Sequence, residues 1–336
     1  MSNSFNYVFI KDMHLQFGFQ VGIRKRGWEK DVDNKLRQII DYMRANNIKY
    51  LFTAGDIFDK SLRKQWSFSQ FQANKKRLQW FEDAGISIYS NLGNHDYFEG
   101  HEVLEGTVFS EMVDLNLITY IGSEMEPIQF PVGKKGKILL FGIDYHQSET
   151  KILNELKDID DYPKEQQSSK ICLMHSNITS DNTRLTDFTY KQLSVNNIDV
   201  LCCGHYHLVP AGGAIQEING THFLNPWNLT RVSRDYHTKL DEHRPEFIHG
   251  TVTFNDDTDP IYEFKEIFLD VKKFSEAFNI DIINMLQDLG KNRFEFFDNV
   301  ELKLDEDASD DEKLIHTIAE AHGITENSIN IAKELL

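Results

Sequence analysis

The chain has 336 residues, 40% of them hydrophobic, with 36 lysines and arginines against 53 acids and a formal net charge of −17. That is enough apolar material for one large domain, or a main domain with a smaller one attached, and it excludes a collagenous, repeat-built or wholly disordered chain. The negative balance excludes a protein that coats nucleic acid by charge alone, and the lack of a long apolar run predicts a soluble, intracellular protein rather than a membrane-spanning one.

In chain order, NYVFI (6–10) reads as a strand and 28–45 as a helix, with Leu36, Ile39, Ile40 and Met43 at helical spacing. KYLFTA (49–54) is strand-like, 66–83 is a second helix ending near Gly85, and ISIYS (86–90) is a third strand. This strand–helix–strand repetition implies parallel strands with right-handed crossovers. KILLFGIDY (137–145), KICLMHS (170–176) and IDVLCCG (198–204) read as short buried strands. THFLN (221–225), GTVTF (250–254) and IYEFKEIFL (261–269) read as half-exposed antiparallel ones. Beyond about 270 the character changes to a helix over 274–289, a strand over 294–304, an acidic loop and two short helices. Cys172, Cys202 and Cys203 lie within strand-like runs; an odd count with a vicinal pair argues for buried thiols rather than a disulfide framework. The basic clusters, such as Arg24–Lys25–Arg26 and Lys75–Lys76–Arg77, read as solvated faces.

Five of the apolar runs end in polar residues of one chemical kind. The first leads to Asp12 and His14, the second to Asp56 and Asp59 in GDIFD, and the third to Asn94, His95 and Asp96 in GNHD. The fourth leads to His175, and the fifth to His205 and His207 in GHYH. Taken singly, D-x-H and GDIFD are ordinary turn chemistry, and His175 could be a satisfied core histidine. GNHD and GHYH say more, because a turn needs no histidine and residues i and i+2 of an extended segment share a face. In an α/β sheet ligands gather outside the carboxyl ends of strands, so five such ends can deliver their side chains to one point.

The residue types suit a pair of divalent ions. Two ions roughly 3.5–4 Å apart clamp a phosphate ester and acidify a water between them. Such a pair needs a bridging carboxylate, for which Asp56 is the natural choice, and imidazole-rich ligands favour manganese, iron or zinc over magnesium or calcium.

The order D-x-H, GD, GNH, H, GHxH resembles the calcineurin-like metallophosphoesterase superfamily over roughly residues 5–232. Within it the chain is similar to the SbcD-type DNA repair nucleases and their phage-encoded relatives; FLNPWNLTR (223–231) also resembles the strand and turn that follow GHxH in that branch. The resemblance implies an α/β fold of two mixed β-sheets packed face to face and flanked by helices, with a small C-terminal α/β capping domain. The implied division is a phosphoesterase domain over 1–269, a cap over 270–308 and a helical segment over 309–336 that docks a partner. Asp12, His14 and His207 would bind the first ion, Asn94, His175 and His205 the second, and Asp56 both. His95 would act on the substrate, with Asp96 orienting it and Asp59 close by. Many nucleases of the branch carry histidine at the place of Asp59, and aspartate occurs in bacterial and phage-like members.

The implied activity is exonucleolytic or endonucleolytic hydrolysis of DNA, with manganese as the first choice of metal and magnesium, iron or zinc as the others. The implied partners are DNA and an SMC-like coiled-coil ATPase, with a second copy of the chain as a further candidate. The implied location is the cytoplasm of a bacterium or of a phage-infected host. Three rivals stand beside this. A protein phosphatase or cyclic-nucleotide phosphodiesterase would use the same metals on another substrate; a scaffold would keep the fold without activity; and CCGHYH could hold structural zinc, although its spacing is wrong for that. Of the remaining histidines only His146, just after FGID, has an evident route to the same point.

Overall fold

The computed structural model describes residues 3–15, 28–59, 66–97, 104–123, 125–146, 148–165, 167–179, 186–194, 197–230, 244–255 and 258–278. The chain divides into two compact units, one of residues 1–17, 32–235 and 243–271, the other of 18–31, 236–242 and 272–336. All of the candidate site residues belong to the first.

The elements in order are β1 (Ser4–Ile10), α1 (Trp28–Ala45), β2 (Tyr50–Thr53), α2 (Phe68–Asp83), β3 (Ser87–Ser90), α3 (Val108–Asp114), β4 (Thr119–Tyr120) and β5 (Ile128–Val132). There follow β6 (Gly136–Ile143), α4 (Glu149–Asp161), β7 (Ser168–Ser176), β8 (Ile178–Thr179), β9 (Phe188–Thr189), α5 (Tyr190–Leu193) and β10 (Val200–His205). The described part closes with β11 (Ile215–Ile218), β12 (Thr221–Leu224), β13 (Glu246–Asn255), β14 (Thr258–Phe268) and α6 (Phe274–Ala277). The cap and the C-terminal helices expected from the sequence fall outside the described residues from 279 onward.

Two six-stranded mixed sheets form, in the orders β14-β13-β1-β2-β3-β4 and β11-β12-β10-β7-β6-β5. Strands β1, β2 and β3 run parallel, as their intervening helices require, and so do β6, β7, β10 and β12. The parallel pairing of β12 with β10 corrects the expectation that THFLN would be a half-exposed antiparallel strand. Its antiparallel partner is only β11, and Phe223 and Leu224 are fully buried. Strand β13 pairs antiparallel with both β1 and β14, as expected.

The sheets pack face to face. Phe5, Tyr7, Phe9 and Phe52 from the first meet Ile138, Leu140, Ile171, Leu173 and Leu224 from the second in one buried cluster. The other face of the second sheet is covered by α4 and α5 through Ile152, Leu156, Ile159 and Leu193. Strands buried on both faces are near-continuous in apolar residues, which explains why β6 and β7 lack alternation.

Helix α1 buries Leu36, Ile39 and Met43 at the expected period, and Asn47 takes the left-handed position (φ 52°) that ends it. Helix α2 starts at a capping box: the Gln70 N–H donates to Ser67 Oγ (3.2 Å) and the Ser67 N–H to Gln70 Oε1 (2.8 Å). Arg77 of α2, buried, donates to Asp33 of α1 (2.7 Å). Among the described residues no helix is long and apolar enough to cross a membrane.

Candidate metal centre

The carboxyl ends of β1, β2 and β3 in one sheet and of β7 and β10 in the other reach one place. The Asp56 carbonyl accepts the His14 N–H (2.9 Å), fixing the turn after β1 to the turn after β2. Asp12 Oδ1 accepts the His205 N–H (3.0 Å) and Ala54 O accepts from His175 Nδ1 (2.7 Å), so both turns are also tied to the second sheet.

Close approach of backbones explains the glycines. A Cβ on Gly55 would lie 2.5 Å from Gly93 N and 2.6 Å from His175 Nδ1, and one on Gly204 would lie 2.8 Å from the same imidazole nitrogen. A Cβ on Gly93 would fall 2.7 Å from Asp56 Cγ. Gly93 has no positive φ, so crowding by Asp56, rather than the shape of the turn, requires glycine there.

Strain gathers at the same place. Asp12 (φ 46°), His14 (φ 41°), Asp56 (φ 50°) and His205 (φ 79°) adopt the left-handed region, while the other described non-glycine residues that do so are Asn47, Asn116 and Asn219. Asparagine, aspartate and histidine reach that conformation more readily than other side chains, yet any non-glycine residue held there carries a penalty of the order of 1 kcal/mol.

Donor atoms converge in two groups that share one member. The first comprises Asp12, His14, Asp56 and His207, and the second Asp56, His175 and His205, each with ligand atoms within 4.8 Å of one another. In the first, His14 Nε2 lies 3.0 Å from His207 Nε2. In the second, His175 Nε2 lies 3.1 Å from both Asn94 Oδ1 and His205 Nδ1. Asp56 Oδ1 accepts the His95 N–H (2.9 Å), leaving Oδ2 at 3.4 Å from His175 Nε2 and 3.7 Å from His14 Nε2. Asp12 Oδ2 and His14 Nδ1 are buried without a hydrogen-bond partner.

Burial and mutual charge set the protonation. Burial raises the Asp12 carboxyl, an effect that His207, His175 and Lys11 partly offset. Burial also pushes His14 well below the usual imidazole range and His205, with His175 beside it, down to about 3, so both rings are neutral donors. Burial alone would lower His175 and raise Asp56. Their attraction outweighs it, carrying His175 to about 9 and Asp56 below the usual carboxylate range. A cation and a proton are therefore alternatives beside the shared carboxylate.

His95, Asp59 and His14 form a third group on the same rim. His95 Nδ1 meets the Asp59 carbonyl oxygen (3.1 Å), and the Asp59 carboxylate faces His14 Nδ1 at 3.7 Å. Asp96 does not orient His95. Its carboxylate accepts backbone N–H groups of Phe58 (3.0 Å), Gly93 (3.1 Å) and Ile57 (3.4 Å), bracing the turns that carry Asp56 and Asn94. Burial and the nearby Asp56 charge push it up to about 7. His146 pairs with Glu155 (3.0 Å). Cys202 faces the cluster between the sheets and Cys203 the opposite face, so the two thiols do not converge.

Sequence reasoning overlooked the support behind the centre. The buried Lys11 donates to the Tyr206 carbonyl and to Asn225 Oδ1. The Leu229 N–H donates to Lys11 O (3.2 Å) and Thr230 Oγ1 to Met13 O (2.5 Å). A lysine closing an apolar run was the available signal.

A profile of calcineurin-like phosphoesterases matches residues 6–209. The chain belongs to that family. It is accordingly a metal-dependent hydrolase of phosphate esters, and the Asp, His and Asn donors suit divalent ions of the first transition row. No curated protein matches the sequence significantly. Among solved structures, similar ones include a dimetal phosphatase from Danio rerio (12% identity, TM-score 0.47, 80% of this phosphoesterase and 99% of that chain). A 5′-nucleotidase from Candida albicans is also similar (13% identity, TM-score 0.44, 82% of this chain and 54% of that one).

Proposed function

We propose that this phosphoesterase is a DNA nuclease, exonucleolytic or endonucleolytic, that uses two divalent ions, manganese first among them. The observation that carries the two-ion reading is Asp56, whose Oδ2 is turned to His175 (3.4 Å) and His14 (3.7 Å) and which belongs to both donor groups. Asp12, His14 and His207 would hold one ion, Asn94, His175 and His205 the other, and Asp56 both. The fit is supported by the orphaned Asp12 Oδ2, a buried carboxylate oxygen for which a cation is the fitting partner.

Bound there, the ions supply Lewis acidity that lowers the pKa of a water and offsets charge on the phosphoryl oxygens. The chain's own residues do the rest. His175, with Nδ1 tied to Ala54 O, turns Nε2 to the centre. His95, with Nδ1 tied to Asp59 O, holds its ring at the rim, where it stabilises the phosphoryl charge or protonates the leaving oxygen. Asp59 positions His95 through its main chain, and Asp96 braces the two turns.

DNA as the substrate is supported by the FLNPWNLTR stretch, which lies against the D-x-H turn through Leu229 and Thr230. On this reading the protein works in the cytoplasm beside an SMC-like ATPase, with 270–308 capping the DNA groove and 309–336 docking the partner. Deleting residues after 308 then spares cleavage and abolishes ATPase binding in a pull-down; intact complex formation overturns the docking role.

The deciding assay is the purified protein with manganese on linear duplex DNA, single-stranded DNA, a chromogenic phosphodiester and a phosphomonoester. Cleavage of DNA and the diester is expected. Untouched DNA with a cleaved monoester overturns the nuclease reading in favour of a phosphatase, and turnover of none of them with ions bound favours a scaffold.

A further inference from the structure

Lys11 is fully buried, immediately before Asp12, whereas most of the other described basic residues, Lys35, Arg77 and Lys170 excepted, reach the surface. Its ammonium donates to the carbonyl of Tyr206 and to Asn225 Oδ1. Tyr206 is the residue between His205 and His207. One side chain therefore joins the segment bearing Asp12 and His14 to the segment bearing His205 and His207. The two segments lie in different sheets and are 195 positions apart at the bond.

Asn225 is itself fixed. Its Nδ2 donates to Ile178 O (3.0 Å) and reaches the Tyr190 hydroxyl (3.2 Å), and its own N–H donates to Ala214 O (2.8 Å). With both amide hydrogens directed there, Oδ1 must face Lys11. Two further bonds from the same stretch hold the strand end, the Leu229 N–H to Lys11 O (3.2 Å) and the Thr230 hydroxyl to Met13 O (2.5 Å). A buried ammonium without such oxygens would be strongly unfavourable, so the lysine and its acceptors form a unit.

The consequence concerns the first donor group. His14 Nε2 and His207 Nε2 stand 3.0 Å apart although their backbones belong to separate sheets, and Asp12 and His14 have positive φ. Local backbone preference does not hold those two residues in place; the His205 N–H bond to Asp12 Oδ1 (3.0 Å) ties the same two segments at the centre, and the Lys11 bond ties them behind it. We infer that Lys11 and Asn225 are positioning residues, a buried strut that sets the spacing between the D-x-H turn and the GHYH segment and so presets the first metal position. This rests on the two-ion reading above. Partners one step removed from a metal ligand typically change affinity by 10- to 100-fold.

The test is manganese binding to the full chain, followed by calorimetry and by electron paramagnetic resonance, with melting temperatures measured in chelator. Wild-type protein is expected to take two ions and to show the exchange-coupled spectrum of a pair. Lys11→Met and Asn225→Leu are each expected to weaken one ion by 10- to 100-fold, leaving a single tight ion with an uncoupled spectrum. The double variant K11M/N225L replaces both side-chain partners with apolar groups and is expected to recover melting temperature relative to Lys11→Met, because Asn225 Oδ1 is no longer left as an unpaired buried acceptor. Its first ion should stay weak, because the Tyr206 carbonyl has no tether.

Two tight ions in both single variants, or a double variant that recovers affinity along with melting temperature, overturns the strut. Wild-type protein that takes no second ion overturns the two-ion reading itself and the strut with it. If Lys11→Met does not fold, K11M/N225L, which removes the same tether to Tyr206 O without orphaning Asn225 Oδ1, decides by the same measurements.

Discussion

The two halves of the centre are built differently. Around His175 the groups satisfy one another: Nδ1 has the Ala54 carbonyl, and Nε2 has Asn94 Oδ1 and His205 Nδ1 within 3.1 Å. Around Asp12 they do not. Asp12 Oδ2 and His14 Nδ1 are buried without a hydrogen bond, whereas left-handed backbone is common to both halves, at Asp12 and His14 here and at His205 there. The first of these halves has hydrogen bonds of its own without a cation, whereas the other keeps buried polar atoms unsatisfied until a cation arrives. The difference shows that a protein can prepare a metal position either by satisfying its donors in advance or by leaving one of them conspicuously unsatisfied.

Asp56→Asn tests whether the halves are joined at all. Removing the shared charge while keeping an acceptor for the His95 N–H should empty both positions and lower kcat by about 10⁴-fold or more, read from manganese stoichiometry and diester hydrolysis. Loss of a single ion would separate the halves. His95→Asn probes the rim that neither half includes. Two ions should remain while turnover falls roughly 10²- to 10⁴-fold, and loss of bound metal would move His95 into the ligand set.

The contrast itself is sharpened in chelator. Asp12→Asn, which neutralises the orphaned carboxylate, should raise the stability of the ion-free protein by about 1–2 kcal/mol, and Asn94→Ala should lower it by about 1 kcal/mol. Equal signs in denaturant unfolding would erase the distinction.

An effect confined to one end of the pH range lies at Glu246. It is buried at the start of β13 and accepts the Trp227 N–H (3.0 Å). Burial, reinforced by Glu266 and opposed by that hydrogen bond, raises its carboxyl from 4.5 to about 7. The folded state therefore binds this proton more tightly than the unfolded state. The group's contribution is most favourable below about pH 4.5 and is lost as pH rises through about 7. Glu246→Gln should thus stabilise by about 1–2 kcal/mol at pH 8 and by nothing at pH 4, seen as a melting-temperature gain confined to the higher pH.

Much of this was legible before any coordinates. The helix read over 28–45 coincides with α1, and the ends of the five apolar runs do lie together, a convergence suggested by their coincidence in one chain although most of them taken singly have bland explanations. The start of α2 was placed two residues early, although Ser67 with Gln70 three positions on is a capping signal present in the sequence. Helix α4 was overlooked despite Ile152, Leu156 and Ile159 at helical spacing. Strands β4, β8 and β9 have two residues each and are too short for any periodicity to register. The direction of β12 was misread because a strand's partner is a long-range fact. The acceptors of Lys11 escape the sequence for the same reason, since Tyr206 and Asn225 arrive from a different sheet, although a lysine closing an apolar run is itself a visible signal.

The left-handed residues have a consequence for anyone who engineers this chain. At positions 12, 14, 56 and 205 a glycine would relax the backbone. A selection for heat resistance alone, run without assaying turnover, would thus be drawn toward replacing the very side chains that converge here. The variants that survive it best would be intact scaffolds with no chemistry left.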